Sequence, residues 1–220
     1  MKISAVIFDL DGVIVSTDEF HYQAWKQISD QEKIYFDREI NERLRGVSRM
    51  ESLDIILSLS EKGYSDTDKE LLAQRKNEVY CELLNKLSPN DILPGVINLL
   101  LSLKARDIKI AIGSSSKNTP FILEQIGLAS SFDTVADGNS ITNSKPDPEV
   151  FLLAAKKLGV TPEECVVIED AQAGIDAAIA AGMIAVGVGT AASCVNAHLK
   201  LEDLSTLNID KLIEVNEIRS

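Results

Sequence analysis

Basic residues are in short supply: 22 lysines and arginines face 34 aspartates and glutamates, a formal net charge of −12. A field of that sign repels nucleic-acid phosphates and anionic membrane surfaces at long range, so neither is an expected partner. A small phosphorylated substrate is also an anion, and the same deficit predicts that cations are gathered locally wherever one binds. Cysteine is scarce as well. Cys81, Cys165 and Cys194 are odd in number and show no CxxC spacing. That argues against a disulfide framework and against a zinc site, fits a reducing cytoplasm, and leaves the three as buried small hydrophobes. Long apolar runs are missing too. The stretch from Ile3 to Leu10 is broken by Asp9 and closely followed by Asp11. It is far too short to span a bilayer and lacks a small-residue cleavage pattern, so it reads as a strand. No internal repeat or low-complexity tract is present.

What remains is an ordinary globular composition, 45% hydrophobic and 25% charged over 220 residues, with enough apolar material for a sizeable core. The length suits one main domain carrying a smaller inserted module. Ser4 to Phe8 is a β-branched and aromatic run ending in acidic residues and Gly12, a buried strand followed by a functional loop. From Thr17 the spacing turns helical, with Phe20, Ala24, Trp25 and Ile28 on one face. Further helical stretches follow at 40–44, 51–59 and 68–87, the last opened by a Thr67/Glu70 capping box. Beyond Pro89, helix and strand alternate. A helix to Lys104 precedes a strand at 108–112, one at 119–126 precedes 133–136, one at 148–158 precedes 166–168, and one at 171–181 precedes 184–188. A short strand and a closing helix near 210–215 complete the chain. This rhythm predicts an α/β fold with a Rossmann-like, doubly wound parallel sheet. Residues 1–15 and 91–220 form its core domain, and residues 16–90 form an all-helical insertion.

In an open parallel sheet the ligand sits beyond the carboxyl ends of the strands, so the polar residues there belong together. The first strand ends in Asp9-Leu10-Asp11-Gly12, the second in Gly113-Ser114-Ser115-Ser116-Lys117-Asn118, and the fourth in Glu169-Asp170; Ser144-Lys145-Pro146-Asp147-Pro148 precedes a helix. Taken singly, each has a plain reading as a turn, a cap or a solvated helix start. Together, at successive strand ends, they define a site. Asp9, Glu169 and Asp170 offer hard oxygen ligands suited to Mg²⁺. A carboxylate attacking a phosphoryl group is held back by anionic repulsion, which Lys145 and a divalent cation would relieve. The Ser114 hydroxyl and backbone N–H groups at the start of the Lys117 helix could hold phosphate oxygens. Asp11, two residues on, faces the same side as Asp9 and is placed to act as general acid–base.

Asp9-Leu10-Asp11-Gly12, Ser114, Lys145 and Glu169-Asp170 together resemble the four motifs of the haloacid dehalogenase superfamily. The insertion after the first motif resembles its four-helix cap. The resemblance covers nearly the whole chain and implies a magnesium enzyme whose nucleophile is Asp9, with Asp9, Asp11, Glu169 and Asp170 at the metal. Within the superfamily, Thr17 with His21 to Trp25, Leu44 to Arg49 with Ser52, and Arg75-Lys76-Asn77 resemble cap stretches of hexose-phosphate mutases. From these stretches, Thr17, His21, Trp25, Gly46, Val47, Ser48, Ser52 and Lys76 would then line the sugar and its distal phosphate. Arg49 with Ser116, Lys117 and Asn118 would hold the phosphate not being transferred; Asp9, Ser114, Ser115 and Lys145 would surround the one in flight. His21, Thr17 and Lys76 would govern the position of Asp11. Trp25 also reads as a core anchor of the cap, His21 equally as a structural histidine, and His198 as a surface residue. The implied partner is a small sugar phosphate, and a monomer suffices. Two departures stand out: Ser16 where the family commonly has Asp, which could loosen the hinge, and Ser115 where Ala is frequent. The rival readings are a sugar-phosphate phosphatase on the same scaffold and a sugar-phosphate-binding protein without turnover; the presence of Asp9, Asp11 and Lys145 weighs against the latter.

Overall fold

The computed structural model describes residues 2–45, 47–194 and 196–218. The apolar run after Ser4 forms β1 (Ala5–Phe8), with all four residues buried, as expected of a strand covered on both faces. It lies at the middle of a parallel sheet with β2 (Lys109–Gly113), β3 (Thr134–Ala136), β4 (Cys165–Glu169), β5 (Ile184–Val188) and β6 (Leu199–Leu201), in the order β3-β2-β1-β4-β5-β6. That is the doubly wound order, and its ligand crevice opens beyond the strand ends where the winding reverses.

Side chains alternate across the sheet and fill two layers. Val6 and Phe8 face Leu99 and Leu103 of α5 (Val96–Lys104), Ile122 of α6 (Thr119–Gln125) and Leu212 of α9 (Ile209–Ile218). Ala5 and Ile7 face Phe151 and Ala154 of α7 (Glu149–Leu158) and Ile175 and Ala178 of α8 (Gln172–Ala180). The alanine-rich second layer lets these helices sit close to the sheet.

Between β1 and β2 the chain forms α1 (Asp18–Gln31), α2 (Arg38–Glu42), α3 (Arg49–Leu57) and α4 (Asp66–Leu84). Trp25, Ile28, Ile34, Phe36, Leu53, Ile56 and Leu72 give this insertion a hydrophobic core of its own. Only its foot, including Ala24, Tyr80 and Leu84, joins the core of the sheet. The two crossings between insertion and sheet run side by side. Val15 bridges Ile92 in antiparallel fashion, and the Leu93 N–H donates to the Ile14 carbonyl at 2.9 Å. Ser16 lies exposed in the first crossing.

The helix starts at α3 and α4 differ from expectation, and capping chemistry explains both. Ser48 with Glu51 forms a reciprocal capping box, so α3 begins at Arg49 rather than Glu51. Ser65 with Asp68 does the same for α4, displacing the expected Thr67/Glu70 box by two residues. The closing helix stands where the sequence puts it, and the short strand before it ends at Leu201, just ahead of the stretch in which it is expected. Among the described residues, no helix is long and apolar enough to cross a membrane.

Candidate active site

The register of β1 against β4 sets Phe8 opposite Ile168, and the Asp9 N–H donates to the Ile168 carbonyl at 2.9 Å. Asp9 and Glu169 therefore leave the sheet side by side, although 160 positions separate them in the chain. Two glycines make room for the acidic groups at this end of the sheet. Gly12 turns the chain at φ +79° beneath Asp170, where a Cβ would meet that carboxylate at 2.1 Å; at Gly174 it would strike Glu169 at 2.0 Å. A side chain at either position would push a carboxylate out of place.

Lys145 reaches the same point from the loop before α7. Glu149 pins that loop by accepting the N–H groups of Thr142 at 2.9 Å and Asn143 at 2.7 Å. The buried ammonium donates to Asp9 Oδ1 at 2.5 Å and to Glu169 Oε2 at 2.8 Å. Burial alone would lower its pKa, but the Asp9 and Glu169 carboxylates outweigh it and hold the lysine above its ordinary value. Oxygens of Asp9, Glu169 and Asp170 lie within 4.8 Å of one another, a set that suits a hard divalent cation. The electrostatics agree, because burial, reinforced by neighbouring carboxylates, raises the pKa of both Glu169 and Asp170. Three buried carboxylates with one internal lysine are short of positive charge.

Asp11 is outside this trio. Its carboxylate accepts the Thr17 hydroxyl, and Thr17 in turn accepts from the Tyr80 hydroxyl at 3.0 Å. Burial, with Asp9 adding, pushes Asp11 up to about 7. Next to this chain of hydroxyls, Lys76 Nζ lies 2.9 Å from His21 Nδ1 and packs over the Tyr80 ring at 4.3 Å and the Trp25 ring at 5.0 Å. Burial, with Arg49 adding, brings Lys76 down to about 7, and burial with Lys76 holds His21 neutral.

These groups border one cavity of about 460 Å³ between the insertion and the sheet, a size typical of small-molecule sites. The sequence-predicted residues Asp9, Asp11, His21, Trp25, Val47, Ser48, Arg49, Ser52, Lys76, Ser114, Ser115, Ser116, Lys117, Asn118, Lys145 and Asp170 all line it. Glu169 stands just behind, and Gly46 lies outside the described residues. Thr17 does not line the cavity as expected of a sugar contact. It is fully buried behind Asp11. Two of the backbone donors expected for phosphate are already used: Ser114 Oγ accepts the Ser116 N–H at 3.1 Å, and Ser116 Oγ accepts the Asn118 N–H at 3.2 Å. The Ser114 hydroxyl keeps its own proton to donate. Ser115 Oγ is buried with no partner among the described residues, a cost that an acceptor in the cavity would remove. Arg49 is half-buried, and no carboxylate among the described residues pairs with it.

Sequence reasoning missed Tyr80 and Asp18, and placed Arg45 in the cap stretch from Leu44 to Arg49 without a role of its own. Tyr80 could have been found, since it lies four residues after Lys76 on the same face of α4. Cys81 is also not the buried hydrophobe expected. It is partly exposed at the seam between insertion and sheet, with Sγ 3.7 Å from Asn118 Oδ1. Cys165 and Cys194 are buried, and all three thiols are free.

The carboxylates have a consequence for stability. Asp11, Glu169 and Asp170 hold their protons in the folded chain to higher pH than in the unfolded one, so the native state binds more protons and stability falls as pH rises from about 5 to about 7. His21 opposes this with one proton below its ordinary 6.5; Lys76, deprotonating near 7 instead of 10.5, returns stability above pH 7. Each net proton is worth about 1.4 kcal/mol per pH unit. Thermal melts in chelator should therefore show Tm dropping between about pH 5 and 7 and levelling above, with saturating Mg²⁺ removing most of the drop. A metal-free Tm that climbs over that interval would contradict this balance of groups.

A model of the haloacid dehalogenase-like hydrolases matches residues 3–182, and the chain belongs to that family. It is 47% identical over 214 residues to a β-phosphoglucomutase of Bacillus subtilis strain 168, covering 96% of this chain and 95% of that one. It is also 34% identical over 189 residues to a fructose-1-phosphate phosphatase of Escherichia coli K12, covering 85% of this chain and 97% of the relative. Among solved structures, a β-phosphoglucomutase of Clostridium difficile superposes with a TM-score of 0.94 at 42% identity, over 99% of this chain and 98% of that one.

Proposed function

We propose that the chain is a phosphoryl-transfer isomerase that interconverts β-glucose 1-phosphate and glucose 6-phosphate through a phosphorylated Asp9 and a bisphosphate intermediate. The observation that carries this reading is Arg49. It is half-buried, free of any described carboxylate, and lines the cavity that also holds Asp9. A mutase needs two anion sites facing one another because its bisphosphate must present either end to the nucleophile, whereas a hydrolase needs only one. We assign residues 16–90 as the cap domain and residues 1–15 and 91–220 as the core domain. The cap supplies Arg49, and the core supplies Ser116, Lys117 and Asn118 to the same distal phosphate. The planar guanidinium suits that task.

Asp9, Glu169 and Asp170 would hold a magnesium ion, whose positive charge would relieve the repulsion between the anionic nucleophile and the phosphoryl group. Asp11, whose carboxylate is taken up by Thr17, is given to proton transfer, and its side chain is left out of the metal set. A carboxylate oxygen of Asp9 forms a bond to phosphorus as the bond from phosphorus to the sugar oxygen breaks, and Asp11 delivers its proton to that oxygen. Lys145 holds Oδ1 of Asp9, and the hydroxyls of Ser114 and Ser115 receive the phosphoryl oxygens. In the return half, a sugar hydroxyl gives its proton to Asp11 and attacks the phosphoryl group on Asp9. A pKa of about 7 lets Asp11 serve in both directions near neutrality. Closure of the cap excludes water, which would otherwise hydrolyse the acyl phosphate. The three free thiols fit the cytoplasm.

Incubation with β-glucose 1-phosphate, Mg²⁺ and a catalytic amount of the bisphosphate should yield glucose 6-phosphate. Inorganic phosphate as the main product would replace the mutase with a phosphatase, the activity named for the Escherichia coli relative. A second test separates the two at one residue. Arg49→Ala should lower mutase kcat/KM by roughly 10- to 150-fold, the value of one charge-assisted contact, with hydrolysis of a small aryl phosphate within a few-fold of wild type. Equal losses in both assays would favour the phosphatase.

A further inference from the structure

Arg45, in the cap segment between α2 and α3, has no part in the phosphoryl-transfer scheme, yet its side chain is only 22% exposed. It reaches across the cavity mouth to the core, where Nη1 lies 2.8 Å from Asp170 Oδ2 and 3.4 Å from Thr190 Oγ1. Nη2 binds Asp18 at the base of α1, and Nε lies 3.0 Å from Glu42 Oε2 without hydrogen-bond geometry. Thr190 is itself tied to the site, since its hydroxyl donates to the Asp170 carbonyl at 2.6 Å. The guanidinium thus bridges the cap to one of the three carboxylates that fit a metal.

We propose that Arg45 is a latch that competes with the divalent cation for Asp170, so that metal entry and release of the cap are linked. The proposal rests on the assignment of the metal to Asp9, Glu169 and Asp170. Among the described residues the cation inside that trio is Lys145, and its ion pairs are with Asp9 and Glu169 rather than Asp170. Asp170 takes its positive partner from the cap instead. A guanidinium and a divalent cation on the same carboxylate repel each other strongly in a buried setting. Cation binding must therefore displace Arg45 or be weakened by it. By linkage, whatever the metal costs the latch, the latch costs the metal. In the metal-free enzyme the latch keeps the cap down and compensates Asp170; in the loaded enzyme the cap is untied and free to admit a sugar phosphate.

The test is metal affinity without substrate. Isothermal titration of Mg²⁺ into wild type and into Arg45→Met, both at pH 7.5, should show about tenfold tighter binding to the variant. Unchanged or weaker binding by the variant, with clear binding by wild type, overturns the latch and leaves the metal assignment standing. Absence of Mg²⁺ binding by both proteins overturns the metal assignment and the latch with it. Should the variant not fold, wild type alone decides the matter by amide hydrogen exchange. Mg²⁺ should raise exchange in peptides covering α2 and α3, and unchanged or slower exchange there would be incompatible with a displaced latch.

Discussion

Asp9→Asn should abolish phosphorylation of the protein and turnover of hexose phosphate together, while leaving the fold intact. Loss of a covalent nucleophile that acts with its partners as a unit costs on the order of 10⁴- to 10⁶-fold in kcat. The amide is nearly the same shape but, without an anionic oxygen, cannot form the acyl phosphate, so no slow route through the same atom remains. The structural effect should be small or favourable. Lys145 keeps its 2.8 Å contact with Glu169, and one of three mutually repelling buried carboxylates is gone. Mass spectrometry after exposure to a phosphoryl donor should find wild type, but not the variant, carrying one added phosphoryl group. Turnover within a hundredfold of wild type would remove Asp9 from the nucleophile's role.

Lys145→Met should damage stability and activity at once. Among the described residues the ammonium is the one cation bonded to Asp9 and Glu169, and removing one member of a buried, hydrogen-bonded charge set typically costs about 3–5 kcal/mol. Urea unfolding should show a lower midpoint with an unchanged slope. The penalty should shrink near pH 5, where the folded Glu169 takes up a proton, and it should be partly repaired by Mg²⁺. Activity should fall on the order of 10²- to 10³-fold, as for other losses of a preorganised charge facing the developing anion. A variant as stable as wild type at pH 8 in chelator would mean that Lys145 does not neutralise the trio.

The sheet and its acidic strand ends were legible in the sequence because each depends on local pattern plus one topological rule. Apolar runs such as Ala5–Phe8 and Ile184–Val188 mark buried strands, and parallel winding puts their carboxyl ends on one side. Once β1 and β4 are neighbours, Asp9 and Glu169 have to meet. The helix starts were less legible because Ser65-Asp66-Thr67-Asp68-Lys69-Glu70 contains two overlapping cap-to-acid frames. Side-chain geometry at Ser65, with an extended backbone at φ −73° and ψ 164°, decided between them. Least legible were the contact made by Arg45 and the burial of Thr17. These depend on how the cap docks on the core, and no periodicity within either segment encodes that docking. Arg45 was visible in the run from Leu44 to Arg49, but nothing in that run tells a substrate contact from a contact with Asp170.

The paired crossings at Val15 and Ile92 carry a mechanical implication. Two separate tethers would let the helical insertion slide, twist and tilt, and each excursion would misalign Arg49 against Lys117. Stitched together by a main-chain bridge, they would act as one pivot. On the proposed reading, rotation about that axis would open a path for a sugar phosphate and then bring Arg49 and Lys117 back to the same spacing, turn after turn. A bisphosphate that has to be regripped end-over-end needs that kind of reproducibility, and a change that severs the bridge should cost fidelity against water before it costs folding.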